Sequence, residues 1–187
     1  MLRRLSRLLL ALMLLTSAPA HADEADAWAA LGEGGHIILM RHAATVPGTG
    51  DPPGFRLGDC ATQRLLSDAG REQAKAIGDA LRERGVTADR VLSSAWCRCV
   101  DTAELMDVGA VEIFEPLNSF FNSGDAERRR TEAVRELVGG WKGPGTLVLV
   151  THQVNVTALT GVVPASGEMV VLRPDGEAVG RISPDPQ

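Results

Sequence analysis

Short aliphatic runs separated by amphipathic stretches organise this chain. Ile37-Ile38-Leu39-Met40 and Leu147-Val148-Leu149-Val150 are unbroken apolar runs. Such runs predict strands covered on both faces, here over about 35–42 and 146–151. Arg90-Val91-Leu92 predicts a third strand over about 89–93, and Val111-Glu112-Ile113-Phe114 alternates as a fourth. Met169 to Leu172 and Ala178 to Ile182 flank the turn sequence Arg173-Pro174-Asp175-Gly176 and predict a terminal hairpin. Between the strands the period changes to that of a helix. Ser67 is a good N-cap for a helix to about Arg84, with Ala74, Ile77 and Leu81 on one face and Gly85 stopping it. Further helices are expected over about 96–106, from an Asp125 cap to about 138, and over 153–160. An Ala-rich amphipathic segment, 23–34, leads into the first strand. Residues 46–58 are rich in Gly and Pro and have no period. Strands alternating with helices predict an α/β sandwich with a mostly parallel sheet.

The 187-residue length suits one domain with a sizeable core. Residues 1–22 read as a signal peptide. Arg3, Arg4 and Arg7 form the basic region, Leu8 to Leu15 the apolar region, and Ala20-His21-Ala22 the cleavage site before Asp23. The apolar run is shorter than the ~20 residues that cross a bilayer, so no stable membrane anchor is expected. The domain is then 23–187, and its address periplasmic or secreted. Removing the leader takes three cations from a net charge of −5 and leaves −8. That balance argues against nucleic-acid binding. It leaves room for a small electropositive pocket.

Three cysteines, Cys60, Cys97 and Cys99, follow the leader. In an oxidising compartment one disulfide is expected. The favoured pair is Cys60 with Cys97, tying the loop after the first strand to the segment carrying Arg98; Cys99 is then the spare thiol. The sequence leaves this connectivity open. No second ligand pair stands at zinc spacing.

The chemistry collects at strand ends. The first strand finishes in Arg41-His42-Ala43-Ala44-Thr45, and the 146–151 strand finishes in Thr151-His152-Gln153. Ser93-Ser94-Ala95-Trp96-Cys97-Arg98-Cys99-Val100-Asp101-Thr102-Ala103 follows another strand and places a second Arg at a helix start. Guanidinium offers a rigid fork of donors to phosphate oxygens, and neutral imidazole is a nucleophile at neutral pH. Carboxyl ends of strands are where open α/β sheets bind ligands.

These segments, with Ser67-Asp68-Ala69-Gly70-Arg71-Glu72-Gln73-Ala74, resemble the histidine phosphatase (phosphoglycerate mutase-like) superfamily. Its patterns are Arg-His-Gly/Ala-x-Thr, Ser-x-Gly-x-x-Gln-Ala, Ser-Ser-x-x-x-Arg-x-x-x-Thr-Ala and a late strand ending in His. The Pro47-Gly48 pair and Asp59-Cys60-Ala61-Thr62-Gln63-Arg64 resemble an exported bacterial subgroup that includes lipopolysaccharide core heptose phosphatases. The resemblance implies a three-layer α/β/α sandwich and a phosphatase working through a phosphohistidine, without metal or other cofactor. Its partner would be a small phosphorylated substrate or inorganic phosphate, an envelope phosphosugar being one candidate.

The resemblance also implies roles. His42 is the nucleophile, its second ring N–H given to a backbone carbonyl. Arg41, Arg98 and a protonated His152 surround the phosphate, and Thr45 adds a hydroxyl. The family's usual Leu-x-Glu acid is missing in plain form, with Ser119 near its place. Glu115 is the nearest carboxylate and Asp125 the next. Without either acid, phosphoramidates such as phosphohistidine, or a non-catalytic phosphate-binding role, come into view. Phe55 and Arg56 are candidates for touching substrate, and Asn118 with Phe120-Phe121 for shaping the pocket. Arg64 and Arg71 are expected at the surface or behind the site, and Arg128-Arg129-Arg130 on a solvated helix face.

Overall fold

The computed structural model describes residues 20–48, 50–121 and 123–183. The leader assigned to 1–22 therefore lies almost wholly outside them. Six strands form one sheet: β1 (Ile37–Arg41), β2 (Ala88–Ser93), β3 (Val111–Ile113), β4 (Thr146–Thr151), β5 (Met169–Leu172) and β6 (Ala178–Ile182), in the order β3-β2-β4-β1-β5-β6. β3, β2, β4 and β1 run parallel, and β5 and β6 close the sheet as the expected antiparallel hairpin. The two aliphatic runs are neighbours, paired from Ile37 with Leu147 to Arg41 with Thr151.

Side chains alternate across a strand, so each run feeds two cores. Ile38, Met40, Val148 and Val150 pack with Ala27 and Leu31 of α1 (Ala20–Glu33), Ile77 and Leu81 of α2 (Asp68–Glu83), and Ala103 and Met106 of α3 (Cys97–Met106). Ile37, Leu39, Leu147 and Leu149 pack with Val134 and Val138 of α4 (Gly124–Gly139) and Val156 of α5 (Gln153–Thr160). The fold is thus the α/β/α sandwich expected, and Ile37–Met40 of β1 and all of β4 are buried because helices cover both faces. Two details differ. α4 begins at Gly124 with Ser123 in the cap position, so Asp125 lies inside the first turn rather than capping it. β3 ends at Ile113 because Glu115–Leu117 forms a short 3-10 turn with Pro116 in it.

Parallel strands place their carboxyl ends on one edge. β1 ends at Arg41, β2 at Ser93 and β4 at Thr151, so His42, Ser94 and His152 emerge side by side. Among the described residues no helix is long and apolar enough to cross a membrane.

Candidate active site

His42 follows β1 and is 3% exposed. Its N–H bonds the Thr151 carbonyl at 2.9 Å, which continues the ladder with β4 one residue past the strand. Its Nδ1 lies 2.8 Å from the Ala43 carbonyl. A carbonyl can only accept, so the proton sits on Nδ1 and Nε2 keeps its lone pair. That is the tautomer a nucleophile needs. Burial first, and then the cations of Arg98 and Arg41, push its pKa down to about 3, against the pull of the Ala43 carbonyl.

The helix motifs brace this strand end. Gly70 of α2 lies so close to the Ala44 backbone that a Cβ would stand 1.8 Å from the Ala44 oxygen. The Ser67 hydroxyl caps α2 by accepting from the Gly70 N–H at 3.0 Å. Gln73 accepts from Ala44 N–H at 2.9 Å and donates to the Ser166 carbonyl at 3.1 Å. Thr102 donates to the Arg98 carbonyl at 2.6 Å and accepts from Ala43 N–H at 3.1 Å. The spacings of these motifs are therefore a clamp on residues 42–44.

Arg98, in the first turn of α3, uses all three nitrogen positions. Nε–H points at His42 Nε2 (3.2 Å), Nη1 binds Asp51 Oδ1 (2.8 Å) and Nη2 lies 3.4 Å from His152 Nδ1. His152 is 4% exposed. Its Nε2 is 2.8 Å from the Ser94 hydroxyl, which donates on to Asn118 Oδ1 at 3.1 Å. Since Arg98 can only donate, Nδ1 of His152 accepts and Nε2 carries the proton. The two imidazole centroids are 5.6 Å apart. Burial, then the neighbouring His42, Arg98 and Arg41, hold its pKa well below the usual imidazole value, so the protonated His152 expected around a phosphate would need the charge of that anion to hold its proton.

Arg41 lies at the cavity wall, its Nη1 on the Pro164 carbonyl at 3.0 Å. That carbonyl belongs to a turn held by buried Glu168, which accepts from Ala165 N–H at 2.7 Å and pairs with Arg181.

The cavity has a volume of about 570 Å³. Arg41, His42, Arg98 and His152 line one end, and Phe55, Trp96, Phe121 and Val154 contribute apolar wall. The Cys60–Cys97 disulfide is formed and Cys99 is a buried free thiol, its pKa pushed up to about 12 by burial. The disulfide joins the loop to the residue before Arg98.

Several candidates fall elsewhere. Glu115 is exposed on the 3-10 turn and Asp125 is exposed on α4, and neither lines the cavity. Pairing of β3 with β2 turns the chain so that Asn118, not Glu115, faces the strand ends. Thr45 is half-buried beside the cavity rather than in its lining, its backbone bridged to Leu66. Arg56 pairs with Asp59 in solvent. Arg64 moves the other way: it lines the cavity, with Nη1 on the Gly48 carbonyl at 2.7 Å. Arg130 is half-buried and ties the Ser119 carbonyl at 2.7 Å, unlike exposed Arg128 and Arg129. Phe120 is buried away from the cavity lining, whereas Phe121 is in it.

One residue had no signal. Asp51, in the loop after β1, binds Arg98, accepts from Arg64 N–H at 3.0 Å and from Trp96 Nε1 at 3.0 Å. A lone Asp among Gly and Pro belongs to no period or motif.

Residues 37–118 match the histidine phosphatase superfamily (branch 1). Over 71 residues the chain is 37% identical to the mitochondrial serine/threonine-protein phosphatase Pgam5 of Drosophila grimshawi. That stretch is 38% of this chain and 22% of the relative, so the chain spans about a fifth of the relative's length. Two solved structures share its fold. SixA from Agrobacterium tumefaciens has a TM-score of 0.56 at 22% identity, covering 81% of this chain and 99% of that one. The protein histidine phosphatase SixA complexed with tungstate has a TM-score of 0.56 at 17% identity, covering 80% and 97%.

Proposed function

We propose that this chain is a member of the histidine phosphatase superfamily, a phosphatase that needs no metal and transfers the phosphoryl group of a monoester to His42 and then to water. One observation carries this reading: a single guanidinium, Arg98, reaches both imidazoles, with Nε2 of His42 unprotonated and facing a cationic cavity. An incoming phosphate would draw the Arg98 fork onto its oxygens and free Nε2 to attack phosphorus in line. Arg41 and Arg64 complete the cationic rim. Catalysis here is mostly positioning and charge stabilisation, because the phosphoryl transition state is loose. Splitting one displacement into two is the gain from the covalent intermediate.

Export to the periplasm or beyond is part of the proposal. It rests on residues 1–22 and draws support from the Cys60–Cys97 disulfide, since disulfides persist in oxidising compartments. An envelope phosphosugar is then a substrate to test early. A phosphoramidate such as phosphohistidine is a second reading, favoured by the exposed position of Glu115 outside the cavity.

The test is hydrolysis of p-nitrophenyl phosphate by the 23–187 protein with chelator present, and acid-labile versus base-stable labelling of the first half-reaction. Turnover with label on His42, lost in His42→Ala, is the expected result. An absolute need for added divalent metal, or vanadate binding without turnover, would overturn it.

A further inference from the structure

A phosphatase of this kind needs a group that protonates the departing ester oxygen and later takes a proton from the attacking water. Asp51 is the one carboxylate among the described residues lining the cavity. Its side chain is 9% exposed, and it meets Arg98 on the side away from His42. We propose that Asp51 is the general acid and base of this enzyme, a role that rests on the phosphatase reading above.

Held by Arg98, Asp51 is an ion-pair partner, not an acid. Burial pushes its pKa up, but the N–H of Arg64, the guanidinium of Arg98 and the Trp96 indole N–H together hold it below the usual value. A bound phosphate changes that balance. The dianion competes for Nη1 of Arg98, so the carboxylate loses its strongest cationic partner while staying buried and gaining a like charge as neighbour. Both changes favour the protonated form. The site thus exchanges one anion for another on Arg98, and the displaced anion becomes the proton carrier.

The steps balance. In the first, the bond from His42 Nε2 to phosphorus forms and the ester P–O bond breaks. The Asp51 proton goes to the leaving oxygen, which departs as a neutral alcohol. In the second, a water oxygen bonds to phosphorus as the P–N bond breaks, and one water proton returns to Asp51. Inorganic phosphate leaves and the carboxyl group is restored.

The discriminating measurement is dependence on the leaving group. Asp51→Asn keeps the shape and an oxygen for Arg98 but cannot carry a proton. It is compared with wild type on p-nitrophenyl phosphate, phenyl phosphate and glycerol phosphate. We expect Asp51→Asn to lose roughly 100-fold or more in kcat on glycerol phosphate and less than about tenfold on p-nitrophenyl phosphate, whose anion leaves without a proton. A merely structural residue would lower all three rates by one factor, and that result would overturn the proposal. Thermal melting and vanadate affinity of Asp51→Asn check that the fold and anion site persist. Should Asp51→Asn fail to fold, Asp51→Ala on the same series replaces it: a loss that grows from p-nitrophenyl phosphate to glycerol phosphate supports the role, and a loss by one factor on all three overturns it. His42→Ala separates the two readings. If it is inactive while Asp51→Asn loses rate uniformly, only the acid assignment falls. If it turns over like wild type, the phosphatase reading falls as well.

Discussion

The Nε–H of Arg98 faces Nε2 of His42 at 3.2 Å, and both side chains are buried. A fixed cation beside an imidazole lone pair disfavours its protonation and, on the proposed reading, marks the place of the phosphate oxygens. Arg98→Ala is therefore expected to lower kcat/KM for p-nitrophenyl phosphate by roughly 100- to 1,000-fold, the range seen when one preorganised charge-stabilising donor is removed. Arg129→Ala, on the exposed face of α4, should stay within about twofold. Equal losses from steady-state kinetics would mean that the pocket lies elsewhere.

The two buried imidazoles make stability depend on acid. The His42 pKa falls from 6.5 to about 3 on folding, and that of His152 falls too. The unfolded chain then binds more protons, so stability from these groups is present above about pH 6.5 and is lost as pH falls toward about 3. Urea midpoints measured from pH 7 to pH 4 should drop, and His42→Gln should drop less steeply. A parallel pair of curves would contradict a neutral buried His42. By the same shift His42 is expected to stay unprotonated across pH 5–8, so on the proposed reading the nucleophile itself sets no acid limb of kcat in that range.

Gly70 is where α2 touches the strand end, and a Cβ there would meet two backbone atoms of Ala44 within 2.7 Å. Backbone on both sides cannot give way cheaply. Gly70→Ala should cost about 2–3 kcal/mol or more and impair turnover by moving residues 42–44. Gly32→Ala in α1 meets nothing within 4 Å and should be neutral or stabilising by up to ~1 kcal/mol. Thermal melting of the pair checks this.

Cys60 and Cys97 close a loop of 37 residues in sequence separation. Chain entropy puts such a crosslink at about 3–4 kcal/mol. Cys60→Ser should lower stability by that order and loosen the loop that carries Asp51, raising KM. The native protein should show no reactive thiol, and the denatured, unreduced protein one, from Cys99. Two thiols or more in thiol titration would refute the pairing.

Sequence alone determined the layers and the four residues that the structure gathers at one cavity. Unbroken runs such as Ile37–Met40 and Leu147–Val150 identify central strands because only burial on both faces tolerates them, and Arg41, His42, Arg98 and His152 stand at strand ends or helix starts that local signals mark. What the tertiary structure decided is everything that depends on distance between segments. Asp51 enters the cavity and Glu115 lies outside it; Arg64 turns inward; His152 is buried beside His42, Arg98 and Arg41, which disfavours its protonated form. None of these follows from a local period. Each is set by the crossing of chain segments far apart in sequence, which fixes how close two charges come and how much water remains between them.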